Sequence, residues 1–360
     1  MPPQRLDITV PDSSVEMLKN GSLEVLKHVR KNWKSSDICF KVFTDGVTNR
    51  LLGCYLPSDP EDMVLIRVYG RNTDLFIDRK DELQNMELMH SAGLAAPVYL
   101  AFNNGLAYQF VPGVVGDERM VQEPTIYRLI AKTMAHMHTL KPLNNEKYRI
   151  PSLFPGIRKF LNLASPTFQD SVKNQRFLSK LSTIQDLYNE INHLEDHLVQ
   201  LGSPVVFCHN DLLLKNIIYN EEKGQVSFID FEYAHQNFQA FDIANHFCEF
   251  CGLESFQPEL YPSQKFQKEW LRIYLEEWFC LIGHSSRKVS PKDVETLYVQ
   301  VNKFALGAHL FWGTWALVQA SHSTIDFDYL GYAIDRIGEY YKRKEEFLDL
   351  SENKYVENVS

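Results

Sequence analysis

Residues 207–232 decide the fold: they begin Phe-Cys-His-Asn-Asp-Leu-Leu-Leu-Lys-Asn (207–216) and end Val-Ser-Phe-Ile-Asp-Phe-Glu (226–232). The apolar, β-rich runs at the two ends flank a polar segment, which predicts two strands joined by a charged loop and followed by a further acid. The side chains that stand out are His209, Asp211, Asn216 and Asp230. We expect these four side chains to lie together.

Phosphoryl transfer needs this set of groups: a carboxylate that accepts a hydroxyl proton, and an amide oxygen plus a second carboxylate that hold Mg²⁺ on ATP. The spacing also matches the kinase pattern. A plain turn with solvated acids is the alternative, since Asn-Asp is common in turns. Asp211 and His209 are therefore the candidate catalytic residues, and Asn216 and Asp230 the candidate metal ligands. Asp242 is predicted to be structural, as a buried acceptor for the backbone of the catalytic loop.

Composition limits the class of protein. The 360 residues are 44% hydrophobic and 23% charged, which suffices for two lobes with apolar cores. The net charge of −9 gives no sign of affinity for nucleic acid or anionic membranes. The longest apolar stretch, Phe304–Ala320, is short for a membrane span and contains His309 and Gln319, so we expect a buried helix and no stable membrane insertion. Six cysteines without framework spacing favour a cytoplasmic protein.

The order of the predicted elements indicates an α+β, bilobal fold with a small β-rich N-lobe and a larger, mainly helical C-lobe. We expect a loose polar N-terminal segment at 1–20, a nucleotide-binding N-lobe at 21–112, and a catalytic and substrate-binding C-lobe at 113–360. Strands are predicted at Ile38–Phe43, Arg50–Leu56, Met63–Tyr69 and Ala107–Val111, and a hairpin at 205–231. Helices are predicted at Leu23–Trp33, Asp81–Ala92, Thr125–Leu140, Leu181–Leu201, Phe266–Cys280, Pro291–Ala320 and Tyr329–Phe347.

The turn between the first two predicted strands holds four candidate phosphate-binding residues: Asp45, Gly46, Thr48 and Asn49. A tight turn with one glycine and small polar residues brings backbone N–H groups against a phosphate. A plain hairpin turn has the same composition, so the turn by itself leaves both interpretations open.

Arg67, Glu82, Gln109 and Val111 complete the predicted nucleotide site. Arg67 ends the third strand, where kinases place the cation that pairs with phosphate, and Glu82 lies on the next helix, where they place its partner acid. Two surface charges are the alternative interpretation. Gln109 and Val111 lie in the segment that joins the lobes, and in a kinase-like fold the backbone of that segment contacts adenine.

Five residues of the C-terminal half are candidate substrate contacts: Glu249, Trp312, Trp315, Phe327 and Tyr332. Aromatic faces attract ammonium groups by cation–π interaction, with Trp the strongest, and a carboxylate would meet the same cationic substrate. A packed aromatic core is the alternative for the rings, and a helix-surface acid is the alternative for Glu249.

Together these motifs resemble the choline/ethanolamine kinase family, which has a protein-kinase-like fold, over about residues 36–347. The segment His-Asn-Asp-x4-Asn (209–216) is similar to the catalytic loop of that family. The segments Ile-Asp-Phe-Glu-Tyr (229–233) and Phe-Asp-Ile-Ala-Asn-His-Phe (241–247) are similar to its second signature. Three further segments are more similar to the ethanolamine branch: 43–49, 212–213 and 323–332.

The resemblance implies that ATP and Mg²⁺ serve to phosphorylate the hydroxyl of ethanolamine, giving phosphoethanolamine and ADP. This reaction is the entry step to phosphatidylethanolamine by the CDP-ethanolamine route. Two residues depart from the family pattern. Ala244 replaces a glycine without touching the acids, and Leu213 stands where choline-type members carry a glutamine near the metal, so it receives no metal role.

Two alternative functions stay open at this point. The same aromatic set would hold the trimethylammonium group of choline, so choline kinase is the first alternative. A non-catalytic kinase-fold scaffold is the second, although a scaffold has no need of Asp211, Asn216 and Asp230. The sequence leaves the oligomeric state open, with a homodimer among the expected forms.

Overall fold

The computed structural model describes residues 3–43, 50–70, 77–142, 150–165, 167–181, 183–253, 255–323 and 325–352. The chain divides into two compact units. The first unit comprises Met1–Val114 and Ile218–Tyr233, and the second comprises Val115–Ile217 and Ala234–Ser360. The N-lobe boundary expected at 112 lies close to Val114. Residues 218–233 belong to the first unit, whereas the sequence analysis assigned them to the C-lobe.

A six-stranded sheet forms the core of the first unit, in the order β1-β5-β6-β4-β3-β2. Its strands are β1 (Gln4–Leu6), β2 (Cys39–Phe43), β3 (Arg50–Leu56), β4 (Asp59–Val68), β5 (Val98–Phe102) and β6 (Gly105–Gln109). The helices of this unit are α1 (Val15–Val29) and α2 (Arg79–Ser91). β1 pairs with β5 in parallel, and the other neighbours pair antiparallel. This sheet is the β-rich part that the sequence predicts, with β5 as a strand that the prediction missed.

The expectation of a loose segment at 1–20 is wrong for its described part. β1 pairs Gln4 with Leu100, and Val10 is fully buried. α1 begins at Val15 rather than Leu23, because the Ser14 side chain accepts a hydrogen bond from the backbone N–H of Met17 and so caps the helix. A strand held by backbone hydrogen bonds needs no apolar side chains, which is why polar composition concealed it.

Capping also positions α2. The Asp78 side chain accepts hydrogen bonds from the N–H groups of Lys80 and Asp81, which satisfies donors that have no partner inside the helix. The helix ends before Gly93, which has a φ of 74° and suits the left-handed turn that terminates a helix. Glu82 therefore lies in the first turn of α2.

Helices dominate the second unit. They are α3 (Pro124–His138), α4 (Leu153–Leu163), α5 (Ser171–Lys180), α6 (Ile184–Val199), α7 (Gln239–Cys248), α8 (Gln264–Leu281), α9 (Pro291–His322) and α10 (Tyr329–Leu348). α9 packs against α4, α6, α7, α8 and α10, so the expectation of a buried helix at 304–320 is confirmed. None of the described helices is both long and apolar enough to cross a bilayer.

Neither α4 nor α5 is among the helices predicted from the sequence. α4 contains Pro155-Gly156, which is typical of a break, but a proline in the first turn of a helix costs no internal hydrogen bond. α5 is polar and buries only Phe177, so its apolar periodicity is weak.

The remaining strands are β7 (Val114–Val115), β8 (Val205–Cys208), β9 (Ile217–Asn220), β10 (Gln225–Phe228) and β11 (His235–Phe238). The predicted hairpin at 205–231 is wrong as a single element. β8 pairs antiparallel with β11, with Cys208 opposite His235, while β9 neighbours β10. The loop that carries Asp211 therefore runs between strands of two different sheets.

Candidate active site

Asp242 on α7 anchors the catalytic loop. Its carboxylate accepts hydrogen bonds from the backbone N–H of His209 at 2.9 Å and of Asn210 at 2.7 Å. These are the contacts that the sequence predicts for a structural acid at this position. Burial opposes ionisation of Asp242, but its hydrogen bond with His138 and the neighbouring histidines keep the pKa of the carboxyl group below its ordinary value. Asp242 is therefore a buried carboxylate that fixes two consecutive amides of the loop.

Asn210 has a φ of 65°, a backbone conformation that residues other than glycine adopt rarely. Its side chain accepts from Asn237 at 2.9 Å and donates to the carbonyl oxygen of His235 at 3.3 Å. Its own carbonyl oxygen accepts from Asn245 at 3.2 Å. Strained backbone of this kind persists where surrounding contacts over-determine it. The side chain of the following residue, Asp211, is thus presented from a backbone fixed in advance.

Asn216 is fixed to the same loop, and the structure brings it together with Asp211. Its side-chain amide donates to the backbone carbonyl oxygen of Asp211 at 2.9 Å. Because an amide nitrogen makes this bond, the amide oxygen of Asn216 is left to accept from or ligate another group. That oxygen is a ligand of the type Mg²⁺ prefers.

His209 is fully buried, with none of its surface exposed. A side chain without exposed surface does not reach a substrate, so the geometry gives His209 a place inside the loop rather than at the reacting atoms. The catalytic role assigned to His209 from the sequence stays a prediction, and its burial favours a supporting role within the loop.

His138 and Tyr274 extend this support, and the sequence analysis assigned neither. The Nε2 atom of His138 lies 3.0 Å from a carboxylate oxygen of Asp242, and its Nδ1 atom lies 2.7 Å from the hydroxyl of Tyr274. His138 ends α3 and Tyr274 lies on α8. Nothing in the local sequence of either helix indicates these contacts, because their partners lie more than a hundred residues away along the chain.

The first unit contains the predicted cation and its partner acids. Arg67 on β4 forms a buried ion pair with Glu82 and lies 3.3 Å from a carboxylate oxygen of Asp230. Asp230 has a φ of 67°, the second described residue other than glycine in this region of backbone conformation. Arg67 is 5% exposed, so the alternative of a surface charge is wrong for it.

Arg79 and Glu232 belong to the same cluster, and the sequence analysis gave neither a role. Arg79 lies 3.0 Å from Glu82 and 3.3 Å from Glu232. Glu82, Asp230 and Glu232 each place one carboxylate oxygen within 4.8 Å of those of the other two. Burial, together with the neighbouring acids, raises the pKa of both Asp230 and Glu232. The raised pKa means that these acids hold a proton more readily than exposed carboxylates do, and a bound cation would favour their ionised forms.

The other predicted nucleotide contacts differ in outcome. Asp45, Gly46, Thr48 and Asn49 lie outside the described residues. The backbone N–H of Gln109 donates to the carbonyl oxygen of Pro97 at 3.1 Å, so this N–H already has a partner, and the contact of the Gln109 backbone with adenine stays a prediction. Val111 follows β6 and is half-buried.

The predicted substrate residues form one aromatic cluster. Trp312 and Trp315 on α9 meet edge to face with 5.5 Å between ring centres, and Trp315 meets Tyr329 at 5.8 Å. Phe327 contacts both Tyr329 at 4.8 Å and Tyr332 at 6.2 Å. Tyr329, which the sequence analysis did not assign, thus joins the tryptophans to the C-terminal aromatics.

Two polar contacts connect this aromatic cluster with the rest of the second unit. The indole N–H of Trp312 donates to the side-chain oxygen of Asn245 at 2.7 Å. Glu249 is 6% exposed and forms an ion pair with Arg336 at 2.9 Å. Arg336 also donates to the hydroxyl of Tyr332 at 2.7 Å and so links Glu249 to the aromatic cluster. The alternative of a helix-surface acid is therefore wrong for Glu249.

Comparisons with known proteins agree with this geometry. A family model described as choline/ethanolamine kinase matches residues 40–341. The chain is 44% identical to ethanolamine kinase 1 of Mus musculus, covering 96% of this chain and 95% of that protein. It is 39% identical to the ethanolamine kinase of Drosophila melanogaster, covering 93% of this chain and 79% of that protein. The chain belongs to the choline/ethanolamine kinase family.

Solved structures place this family member in a known fold. A Plasmodium vivax ethanolamine kinase matches with a TM-score of 0.78 at 28% identity, covering 91% of this chain and 89% of that one. A choline kinase from Cryptosporidium parvum matches with a TM-score of 0.75 at 24% identity, covering 93% and 97%, which shows the fold alone. The predicted α+β, protein-kinase-like fold class and the resemblance to the family are both confirmed.

Proposed function

We propose that this chain transfers the γ-phosphoryl group of ATP to the hydroxyl of ethanolamine, giving phosphoethanolamine and ADP. The reaction would open phosphatidylethanolamine synthesis by the CDP-ethanolamine route. The observation that carries the proposal is the loop of residues 209–216, in which Asp211 and Asn216 are hydrogen-bonded together on a backbone held by Asp242. The likeness to ethanolamine kinases over nearly the whole chain selects the substrate.

Asp211 orients the substrate hydroxyl and accepts its proton as the phosphoryl group arrives. Its backbone is fixed before the substrate binds, so little ordering is left to be done in the reacting complex. Burial, and then the carboxylates of Glu249 and Asp211, hold the pKa of Tyr332 above its ordinary value. Tyr332 therefore remains a neutral hydroxyl next to the acids at physiological pH.

Arg67 contributes positive charge to the phosphates, and Glu82 holds it in place as its buried partner. Asn216 carries an amide oxygen and Asp230 a carboxylate, and each is a ligand type that suits the hard cation Mg²⁺. When bound, the metal ion would supply positive charge to the transferred phosphoryl group.

The ammonium end of the substrate binds at the aromatic cluster, beside Glu249. Trp312, Trp315, Phe327 and Tyr332 supply aromatic faces for a cation. The carboxylate of Glu249 supplies an acceptor, which a primary ammonium with its three N–H donors requires. Choline carries no such donor, so this pocket favours ethanolamine, with choline as the weaker substrate.

The proposal also covers the cellular compartment and the oligomeric state of the protein. All six cysteines are free thiols, and Cys54, Cys208, Cys248 and Cys251 are buried. A buried thiol without a disulfide suits a reducing compartment, which supports a cytosolic location. A homodimer stays a prediction, to be measured by the mass of the protein in solution.

ADP release from purified protein with Mg-ATP tests the reaction, with ethanolamine, choline or buffer as the acceptor. We expect turnover with a preference for ethanolamine. Asp211→Ala lowers kcat about 100- to 10,000-fold, the usual contribution of a general base, and leaves ATP binding in place. Asp196→Ala, on an exposed face of α6, is the matched control and keeps full activity. A preference for choline would overturn the substrate, and undiminished activity of Asp211→Ala would overturn the mechanism.

A further inference from the structure

Arg336 on α10 is a buried cation that the sequence analysis did not single out. Only 1% of its side chain is exposed. One guanidinium nitrogen, Nη1, donates to Glu249 at 2.9 Å and to the hydroxyl of Tyr332 at 2.7 Å. Nε donates to His309 at 3.1 Å, and Nη2 donates to the carbonyl oxygen of Ala308 at 3.3 Å. The planar group therefore joins an acid, a phenol, an imidazole and the backbone of α9.

The groups around Arg336 compensate its buried positive charge. Burying a cation is unfavourable unless a counter-charge accompanies it, and Glu249 provides one. Burial, and then the charge of Arg336, hold the pKa of His309 well below its ordinary value, so the imidazole is neutral. A neutral imidazole accepts a hydrogen bond at one nitrogen, and here Nδ1 accepts from Arg336.

Two of these partners are the groups proposed to meet the substrate. Glu249 would accept from the ammonium group, and Tyr332 is one of the aromatic faces and lies within electrostatic reach of Asp211. The same nitrogen of Arg336 bonds to both, so one side chain sets the position of the acid relative to the ring. The bond from Arg336 uses the Oε1 atom of Glu249, and a carboxylate has a second oxygen that can accept from another donor.

We propose that Arg336 is a positioning residue which fixes Glu249 and Tyr332 and thereby gives the pocket its preference for a primary over a quaternary ammonium group. The inference rests on the proposed function. A primary ammonium depends on a correctly placed carboxylate, because its N–H donors lose their water on binding. A trimethylammonium group depends on aromatic faces and has no N–H to satisfy. Displacing Glu249 therefore harms the first substrate more than the second.

Variants of Arg336 test this preference. Arg336→Lys keeps the charge and loses the planar fork, and Arg336→Gln loses the charge. Arg336→Gln combined with Glu249→Gln removes both charges and so avoids a buried, unpaired carboxylate. Arg343→Gln is the matched control, since Arg343 is on the same helix and pairs with Glu339 instead.

For each variant, kcat and KM are measured with ethanolamine, choline and ATP. Binding of each amino alcohol in the presence of a non-hydrolysable ATP analogue is measured by calorimetry, so that selectivity is read without turnover. We expect Arg336→Lys to raise the KM for ethanolamine about tenfold, the size of one charge-assisted hydrogen bond. The KM for ATP stays unchanged, and the ethanolamine-to-choline ratio of kcat/KM falls. The double variant is no worse with ethanolamine than Glu249→Gln alone.

Equal losses with both amino alcohols, or a smaller active fraction at unchanged KM, would overturn the proposal and leave Arg336 a purely structural residue. The same conclusion follows if Arg343→Gln shifts the ratio as much as Arg336→Gln. If wild-type protein binds ethanolamine without turning it over, the proposed reaction fails, while the calorimetric ratio still decides the role of Arg336. If wild-type protein binds neither amino alcohol, both proposals fail.

Discussion

At the scale of single residues, Asn245 connects the aromatic cluster to the catalytic loop. Its side-chain oxygen accepts from Trp312, and its side-chain nitrogen donates to the carbonyl oxygen of Asn210, directly before Asp211. The amide is fully buried, and a buried amide needs partners for both its ends. The Asn245 side chain therefore fixes the indole of Trp312 relative to the backbone that carries Asp211, the proposed base.

Replacing Asn245 with alanine tests this connection. The indole of Trp312 and the carbonyl oxygen of Asn210 each lose a partner, so we expect a loss of about 1–3 kcal/mol in the free energy of unfolding. We also expect kcat/KM for ethanolamine to fall more than tenfold, with ATP affinity unchanged, as read by steady-state kinetics and chemical denaturation.

Gln300→Ala is the control for Asn245→Ala. Gln300 is a buried amide of α9 whose side chain donates to the carbonyl oxygen of Leu201, away from the loop. We expect it to lower stability by a similar amount while leaving kcat/KM intact. Equal kinetic losses in the two variants would show that Asn245 acts only through general stability.

At the scale of elements, α9 carries much of the second unit's site. A capping box starts it: Ser290 accepts from the N–H of Asp293, and the Asp293 side chain accepts from the N–H of Ser290, with Pro291 in the first turn. The helix then presents His309, Trp312 and Trp315 from successive turns. Close packing against α10 is what brings Arg336 to these side chains.

Gly313 of α9 allows that close packing. A Cβ atom built on it would lie 2.7 Å from Cγ1 of Ile337 on α10, which is closer than real contacts allow. We expect Gly313→Ala to push the two helices apart, and to lower the free energy of unfolding by about 1–3 kcal/mol from overpacking. Because Trp312 and Arg336 lie on these helices, kcat/KM for ethanolamine should fall as well.

Gly338→Ala provides the opposite case on α10. A Cβ atom there meets nothing within 4 Å, so the substitution should raise stability by up to about 1 kcal/mol through helix propensity. Thermal and denaturant unfolding of both variants measure the difference. A Gly313→Ala variant as stable and active as Gly338→Ala would contradict the packing argument.

At the scale of the whole molecule, buried histidines link stability to pH. Burial lowers the pKa of His246 to about 4, and its Nδ1 atom lies 3.2 Å from the carbonyl oxygen of Leu212. Its Nε2 atom has no hydrogen-bond partner among the described residues. The imidazole of His246 is therefore neutral in the folded protein. In the unfolded chain it takes up a proton near its ordinary pKa of about 6.5.

The unfolded state thus binds more protons than the folded state at acidic pH, so stability is full above pH 6.5 and is lost as the pH falls toward 4. His246 should contribute about 3 kcal/mol to this loss by pH 4. We expect His246→Asn to flatten the stability curve between pH 6.5 and 4, as measured by urea unfolding at each pH. His284→Asn, at an exposed position, should keep the wild-type slope, and an unchanged slope in His246→Asn would refute the assignment.

Local patterns in the sequence were enough for much of the fold. β3 was predicted with its observed bounds, Arg50–Leu56, and α9 and α10 within a few residues, because apolar periodicity and capping residues lie inside each element. The same patterns failed for β1, β5, α5 and β11, whose formation depends on partners elsewhere in the chain rather than on their own composition.

Residues that are close together in the sequence were enough to indicate the chemistry of this protein. Asp211, Asn216 and Asp230 have the spacing of a phosphoryl-transfer motif, and the residues that carry this motif are close along the chain. The sequence also predicted Asp242 as the anchor of the loop, but only the tertiary structure showed the partners of Asp242 and of Glu249. The contacts of His138 with Asp242 and of Arg336 with Glu249 span 104 and 87 residues. Such contacts leave no periodic signal, because a buried polar group is selected to match a distant partner and not its neighbours in sequence.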